Sequence, residues 1–134
     1  MQKETQEKPK RAVVAAVQLP SVTDMEFEAS LTELRELAKT LGFEVVHTFT
    51  QKRSSFDFTA YLGTGKREEI RLFVNNKFES AGWQETAQTA ALDASGIDVI
   101  LVDHEISPSQ ARNLEKEIGC SVMDRTMVIL EIFH

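Results

Sequence analysis

The chain has 134 residues and a mass of 15.1 kDa, with 42% hydrophobic and 27% charged residues, which suits a single globular domain. It contains no apolar run near the roughly 20 residues that a membrane span needs, and its N-terminus lacks the apolar segment of a secretory signal. Its one cysteine, Cys120, excludes an internal disulfide and favours a cytoplasmic location. The formal net charge of −6 argues against a generally basic nucleic-acid-binding protein, although a local basic edge remains compatible with it.

The first part of the chain predicts a flexible arm, a buried strand and a helix. Residues 1–10 are almost entirely polar and predict the arm, so the ordered domain is expected to span residues 11–134. The unbroken apolar run at 12–17 is typical of a strand buried on both faces, as in a parallel sheet. Apolar residues then recur at helical spacing. Residues 23–26 and 30–33 both fit a capping box, and we place the helix start at the second.

The middle of the chain predicts a second strand, a loop and further helix. Residues 43–50 are rich in β-branched side chains and predict the strand. Residues 54–66 predict a loop that ends in the sequence YLGTGK. A helix with Ile70 and Phe73 on one face follows it. The alanine-rich stretch at 84–94 predicts either another helix or the continuation of a bent one.

The last part of the chain completes an alternation of strands and helices. Residues 97–102 predict the third strand, Ser107 and Pro108 begin a helix, and residues 120–123 predict a short fourth strand. A turn then leads into a final apolar segment at 127–133. The alternation predicts an α/β fold, with a small four-stranded, mainly parallel open sheet and helices on both faces.

Polar clusters follow three of the predicted strands. Carboxyl ends of parallel strands share one edge, where open α/β sheets bind ligands, so we expect these clusters and the glycine-containing loop to form one polar rim. Loops are also polar simply because they face solvent. Six basic and six acidic side chains balance in the rim, which favours pairing among themselves. Contact with RNA would require the acids to be paired internally and the cations to face outward. The clusters are Gln51, Lys52 and Arg53, then Asp103, His104 and Glu105, and finally Asp124, Arg125 and Thr126.

The sequence GTGK before the second helix invites comparison with phosphate-binding loops. A P-loop requires G-x-x-x-x-G-K-[ST], but Ala60 stands at the first glycine position and Arg67 at the hydroxyl position. A dinucleotide-binding loop fails because Glu68 replaces its third glycine. Two glycines before a helix can form an anion-binding nest of amides. A turn with positive φ at Gly63 or Gly65 explains them more simply.

Candidate catalytic groups are few. His47 lies within a predicted strand, and His104, flanked by two acids, has no second histidine or cysteine at metal-ligand spacing. Cys120 opens a buried strand, and no neighbouring residue is expected to lower its pKa. We therefore expect no catalytic residue, no metal site and no enzymatic activity in these 134 residues.

Four blocks of sequence occur along the chain, namely QKR at 51–53, YLGTGK at 61–66 with EEI at 68–70, DHEISPSQ at 103–110 with RNLEK at 112–116, and DRT at 124–126 with ILEIF at 129–133. Together and in this order, they resemble the N-terminal domain of the HflX family of ribosome-associated GTPases. The chain departs from the family pattern at residues 76–95, which are longer than the usual link, and at His134, where family members continue into a helical hairpin and a GTPase domain. We expect an excised N-terminal domain.

The resemblance implies a docking and regulatory domain that itself lacks the GTP-hydrolysing site. HflX-like proteins bind the large ribosomal subunit and use GTP and Mg²⁺ in a further domain, so no cofactor is expected in this chain. The implied partners are the large subunit with its rRNA and the GTPase domain of the same protein. The alternatives are a nucleotide-binding (ATP-binding) domain that uses the loop at residues 63–66, and a purely intramolecular scaffold for the GTPase domain.

The resemblance also supplies candidate binding residues. Some of them could instead tie neighbouring loops together through charge-assisted hydrogen bonds, namely Asp103, Asn113, Asp124 and Arg125. The full set is Gln51, Lys52, Arg53, Gly63, Gly65, Lys66, Asp103, Ser107, Gln110, Arg112, Asn113, Asp124 and Arg125.

Overall fold

A computed structural model of the chain describes residues 9–75 and 96–134. The predicted helical stretch at 84–94 and most of the predicted N-terminal arm lie outside the described residues. None of the described helices is long and apolar enough to cross a membrane. The described elements are β1 (Arg11–Gln18), α1 (Asp24–Thr40), β2 (Glu44–Lys52), α2 (Thr64–Val74), β3 (Val99–Val102), α3 (Pro108–Ile118), β4 (Ser121–Asp124) and α4 (Arg125–Ile132).

The four strands form one sheet in the order β2-β1-β3-β4, and every neighbouring pair is parallel. The longest apolar run in the chain, β1, therefore has a strand on each side. Val14 of β1 pairs with Leu101 of β3, and Gln18 at the end of β1 pairs with Lys52 at the end of β2. The predicted α/β fold with a four-stranded parallel sheet is confirmed.

Helices cover both faces of this sheet, which explains why β1 has no polar alternation. Val13, Ala15 and Val17 pack in the core beneath α2 and α3. The intervening residues of β1, such as Val14, pack in the core beneath α1 and α4. All of them are buried, because a central parallel strand has no face directed to water.

The start of α1 lies seven residues before the predicted one. The hydroxyl of Thr23 accepts a hydrogen bond from the Glu26 N–H at 3.1 Å, and the Glu26 carboxylate accepts one from the Thr23 N–H at 2.9 Å. The earlier capping box is the one used because Phe27 is buried and extends the apolar stripe of the helix toward its start. Ser30, the predicted start, lies inside the helix and donates its hydroxyl to Asp103 at 2.8 Å.

Two predicted loops are also shorter in the structure. Helix α2 begins at Thr64, so residues 64–66, predicted as the end of a loop, form the first helical turn. Strand β4 runs directly into α4, because Asp124 ends the strand and caps the helix, so there is no turn at 124–126. The prediction of a positive φ at Gly63 or Gly65 is wrong, and the left-handed residue of this region is Tyr61 with φ 74°.

Candidate functional site

The polar clusters that follow the strands lie along the carboxyl edge of the sheet. Gln18 ends β1, Lys52 ends β2, Asp103 follows β3 and Asp124 ends β4. Residues 53–63, which we call the crossing loop, run over this edge from β2 past β1 to the end of β3, as the contacts of its last residues show. The sheet thus brings the predicted polar rim together on one edge.

The crossing loop places a tyrosine in the crevice between β1 and β3. Tyr61 is 0% exposed, and its hydroxyl accepts a hydrogen bond from the Val17 N–H at 2.9 Å. The same hydroxyl is hydrogen-bonded to Nδ1 of His104 at 2.6 Å, and the tautomer of His104 decides which of the two groups donates. Phe56 packs beside both rings, with centroid distances of 5.1 Å to Tyr61 and 4.7 Å to His104.

This crevice is the place where an open α/β sheet would hold a small ligand. The helix after β1 lies on one face of the sheet and the helix after β3 lies on the other, which defines the topological switch point. Here the ring of Tyr61 fills it. Burial raises the pKa of Tyr61, and burial also lowers the pKa of His104, although Asp103 opposes the second shift. Both groups are therefore neutral near pH 7.

A buried arginine holds the crossing loop against α2 and α3. Arg67 is 8% exposed, and its guanidinium contacts Asp57 at 3.1 Å and Glu117 at 2.8 Å while donating to the Leu62 carbonyl. The sequence analysis noted Arg67 only as a departure from the P-loop pattern. Its signal was available in the helical spacing, because Arg67 shares the buried face of α2 with Ile70.

Asp57 closes a tight turn within the crossing loop. Its carboxylate accepts hydrogen bonds from the N–H groups of Thr59 at 3.1 Å and Ala60 at 2.9 Å, and its backbone pairs with Tyr61 in both directions at 2.9 Å. Partial burial favours a higher pKa for Asp57, but these N–H groups and Arg67 hold it below its usual value. Asp57 is therefore ionised and fully engaged at neutral pH.

Three of the candidate binding residues on α3 brace this turn or the helix that carries them. The amide of Gln110 donates to the Asp57 carbonyl at 3.1 Å, and the amide of Asn113 donates to the Thr59 carbonyl at 2.9 Å. Ser107 caps α3 in a reciprocal capping box with Gln110. Gln110 and Asn113 therefore hold the crossing loop against α3, and Ser107 stabilises the start of that helix.

Asp103 and Arg125 form a second buried network, between β3, α1 and α4. Asp103 is 3% exposed and accepts hydrogen bonds from Ser30 at 2.8 Å and from the Arg125 guanidinium at 2.7 Å. Arg125 also contacts Glu33 at 2.9 Å. Asp124 accepts from the N–H groups of Ile106 and Met127, at 3.0 and 2.9 Å. The loop after β3 and the start of α4 are thus tied to each other and to α1.

The end of β2 and the start of α2 meet around Gly63. Its N–H donates to the Gln51 side chain at 2.9 Å, and the Arg53 guanidinium donates to the Ser55 carbonyl at 2.9 Å. A Cβ at Gly63 would lie 2.6 Å from the Arg53 guanidinium and 2.9 Å from the Gln51 amide. A side chain at Gly63 would therefore require the ends of the Gln51 and Arg53 side chains to shift, whereas Gly65 has open space around it.

The basic candidates differ in how far they are engaged. Lys66 pairs with Glu69 at 2.9 Å, within the first turns of α2. Arg112 is exposed and reaches only the Ser109 hydroxyl, at 3.5 Å. Lys52 is exposed, and neither Lys52 nor Arg112 has an ion pair with any residue in the described part of the chain.

Lys52 and Arg53 line a cleft of about 560 Å³ between the ends of β1 and β2. Ser54 contributes a hydroxyl to the same wall, and Asp24 at the start of α1 contributes a carboxylate. That carboxylate accepts a hydrogen bond from the Gln18 amide at 2.9 Å. The lining of the cleft therefore includes two cationic side chains and one carboxylate.

The remaining titratable candidates have packing roles. His47 stacks on Phe73 with ring centroids 5.5 Å apart, and burial lowers its pKa. Burial raises the pKa of Cys120 to about 11, so the thiol is protonated at neutral pH and is a poor nucleophile. Across residues 9–75 and 96–134, no three histidine, cysteine or acidic side chains are grouped to hold a metal ion.

Comparison with protein families places the chain. The model of the GTP-binding GTPase N-terminal family matches residues 28–134. The chain belongs to this family. It is 40% identical over 92% of its length to the GTPase HflX of Gluconacetobacter diazotrophicus, and 32% identical over 92% of its length to the GTPase HflX of Escherichia coli. The family model and these identities confirm the resemblance to an HflX N-terminal domain. The chain spans 31% and 24% of the length of these two relatives.

Solved structures show the same fold. The crystal structure of a GTP-binding protein from the archaeon Sulfolobus solfataricus in complex with GDP aligns with a TM-score of 0.55 at 20% sequence identity. The alignment covers 92% of this chain and 30% of that chain. At this level of identity the likeness concerns the architecture only.

Proposed function

We propose that this domain is the ribosome- and RNA-docking and regulatory part of an HflX-like GTP-binding protein. The observation that carries the proposal is the internal engagement of the acidic side chains on the rim. Asp57, Asp103 and Asp124 each accept at least two hydrogen bonds from within the domain. Lys52 and Arg112 face solvent without an ion pair among the described residues.

Five of the six acidic side chains counted in the rim are engaged within the domain, whereas Glu105 is exposed. Two of the six cations, Lys52 and Arg112, are exposed, and contact with RNA would depend on them. Acidic side chains that are paired within the protein repel phosphates less, and outward cations attract them by releasing counterions. The net charge of −6 belongs to the whole chain, whereas docking depends on the local field at one edge. A cytoplasmic location accompanies this proposal because ribosomes are found there.

Nucleotide binding by the loop at 63–66 is less well supported. The N–H of Gly63 already donates to Gln51, so it is not free to bind phosphate. The ring of Tyr61 fills the crevice in which an α/β sheet would hold a nucleotide. The sequence also contains no P-loop motif. We therefore assign GTP and Mg²⁺ to the GTPase domain of the parent protein, and none to this chain.

The docking proposal is tested by co-sedimentation of the chain with purified large ribosomal subunits at increasing salt. Binding is expected to weaken as salt rises, and Lys52→Glu and Arg112→Glu are each expected to weaken it and to reduce the salt slope by about one unit or more. Lys39→Glu is the matched control, because Lys39 lies in the last turn of α1 at the opposite edge of the sheet.

Four outcomes contradict the proposal in different ways. Absence of co-sedimentation at low salt removes the docking role. An equal loss for Lys39→Glu shows that the effect follows total charge and has no relation to the rim. Binding that appears only when the GTPase domain is supplied favours an intramolecular scaffold, and calorimetric heat with ATP or GTP favours the nucleotide-binding alternative.

A further inference from the structure

The most exposed large apolar side chain of the described residues lies on the crossing loop. Phe58 is 94% exposed, although Ala60, Tyr61 and Leu62 of the same loop are fully buried. The crossing loop therefore buries three neighbouring apolar residues in the core and leaves the Phe58 ring in solvent. An exposed phenylalanine beside so many buried neighbours suggests an interaction surface.

The backbone on both sides of Phe58 is held in place. The preceding residue, Asp57, is fixed by two backbone hydrogen bonds to Tyr61 and by the Arg67 ion pair. The following residue, Thr59, is fixed through its carbonyl by the Asn113 amide at 2.9 Å. A ring presented by a braced turn loses little conformational freedom on binding, so most of its contact energy is retained.

The charged side chains at this turn differ in their pairing. Asp57 and Glu117 share the single positive charge of the buried Arg67, so these three side chains keep a net charge of −1. Arg112 and Lys116 are exposed on α3, the helix that braces the turn, and neither has an ion pair among the described residues. An aromatic face with nearby cations is the combination that binds unpaired nucleotides.

We propose that Phe58 stacks on an unpaired base of ribosomal RNA while Arg112 and Lys116 contact adjacent phosphates. The inference rests on the proposed docking function and adds the chemistry of one contact. The competing interpretation is that Phe58 enters an apolar pocket on a ribosomal protein. Substitutions distinguish the two, because such a pocket accepts any apolar side chain of similar size, whereas stacking on a base requires a flat ring.

The test measures binding of the chain to purified large subunits and to protein-free large-subunit rRNA, using Phe58→Ala, Phe58→Leu and Phe58→Trp. Stacking predicts that Phe58→Trp binds at least as well as the wild type and that Phe58→Ala and Phe58→Leu lose about 10-fold in affinity, with an unchanged salt slope. Phe133→Ala is the matched control, because that ring is 82% exposed and lies at the end of α4, away from the crossing loop.

Each of the following results would overturn the inference. Full binding by Phe58→Ala shows that the ring makes no contact. Full binding by Phe58→Leu, or a Phe58 effect confined to intact subunits, indicates a protein pocket. If the wild type binds neither probe at low salt, the proposed docking function fails as well, whereas wild-type binding with no Phe58 dependence refutes this inference alone.

Discussion

Replacing Tyr61 with phenylalanine removes one oxygen from the centre of the rim and leaves the ring in place. That oxygen accepts the hydrogen bond from the Val17 N–H and shares a second hydrogen bond with His104. The Val17 N–H then has no partner, and it lies in β1, where the side chain is 1% exposed and water does not reach. Leaving a buried donor unsatisfied costs about 1–3 kcal/mol.

The expected loss is about 2 kcal/mol of unfolding free energy, because His104 is only half-buried and can be rehydrated. Domains unfold with an entropy of about 2.1 cal/mol/K per residue, so this loss lowers Tm by about 7 °C for a chain of 134 residues. Urea denaturation followed by far-UV circular dichroism gives the free energy, and a thermal melt gives Tm.

Phe58→Leu serves as the control, because it changes an exposed side chain of the same loop and is expected to shift the unfolding free energy by less than about 0.5 kcal/mol. A Tyr61→Phe variant within about 0.5 kcal/mol of the wild type would refute the reasoning. The Val17 N–H would then have another partner, and the tyrosine hydroxyl would have no role in closing the crevice.

Three further predictions concern the networks around the rim. Arg125→Met leaves the 3% exposed Asp103 carboxylate without its cation and is expected to cost about 3 kcal/mol by urea denaturation, whereas a loss below about 1 kcal/mol contradicts the buried pair. Gly63→Ala is expected to destabilise the domain by about 1 kcal/mol, because the new Cβ would lie 2.6 Å from the Arg53 guanidinium, which must then shift. Gly65→Ala lies in open space within α2 and is expected to be neutral or to stabilise the domain by about 0.5–1 kcal/mol. Equal effects of the two alanines would remove the close-approach argument. Because burial lowers the pKa of His104, the unfolded chain binds more protons below about pH 6.5, so stability falls as pH decreases from about 7 through the lowered pKa. His104→Asn should reduce that slope between pH 7 and 5, leaving the contribution of the other half-buried histidine, and an unchanged slope would contradict the assignment.

Much of the fold could be predicted because the local signals agree with the packing. The unbroken apolar run of β1 indicates a strand with helices on both faces, and Ser107 with Pro108 marks the start of α3. The start of α1 could not be chosen correctly, because residues 23–26 and 30–33 both fit a capping box. Burial of Phe27 decides between them, and burial is a tertiary property.

The candidate site could be located from the sequence but its internal chemistry could not. The parallel direction of the four strands places the polar clusters on one edge, as the sequence predicted. Helical spacing places Arg67 on the buried face of α2, but nothing in the sequence identifies its partners or shows that Tyr61 takes φ 74° to reach Val17. Both depend on contacts between residues far apart in the chain, such as the 50 positions between Arg67 and Glu117.

The same contacts that engage the acidic side chains also close the crevice and stiffen the crossing loop. Arg67 pairs with Asp57, which fixes the turn before Tyr61, and the tyrosine ring then fills the space between β1 and β3. The crevice between β1 and β3, closed in this way, offers a small ligand little room, and the cleft that remains on this edge lies between the ends of β1 and β2. The edge also presents a preformed surface on which Phe58 and Arg112 are exposed. For an α/β domain of this architecture, filling its own ligand crevice favours recognition of a macromolecule by the rim over binding of a nucleotide within it.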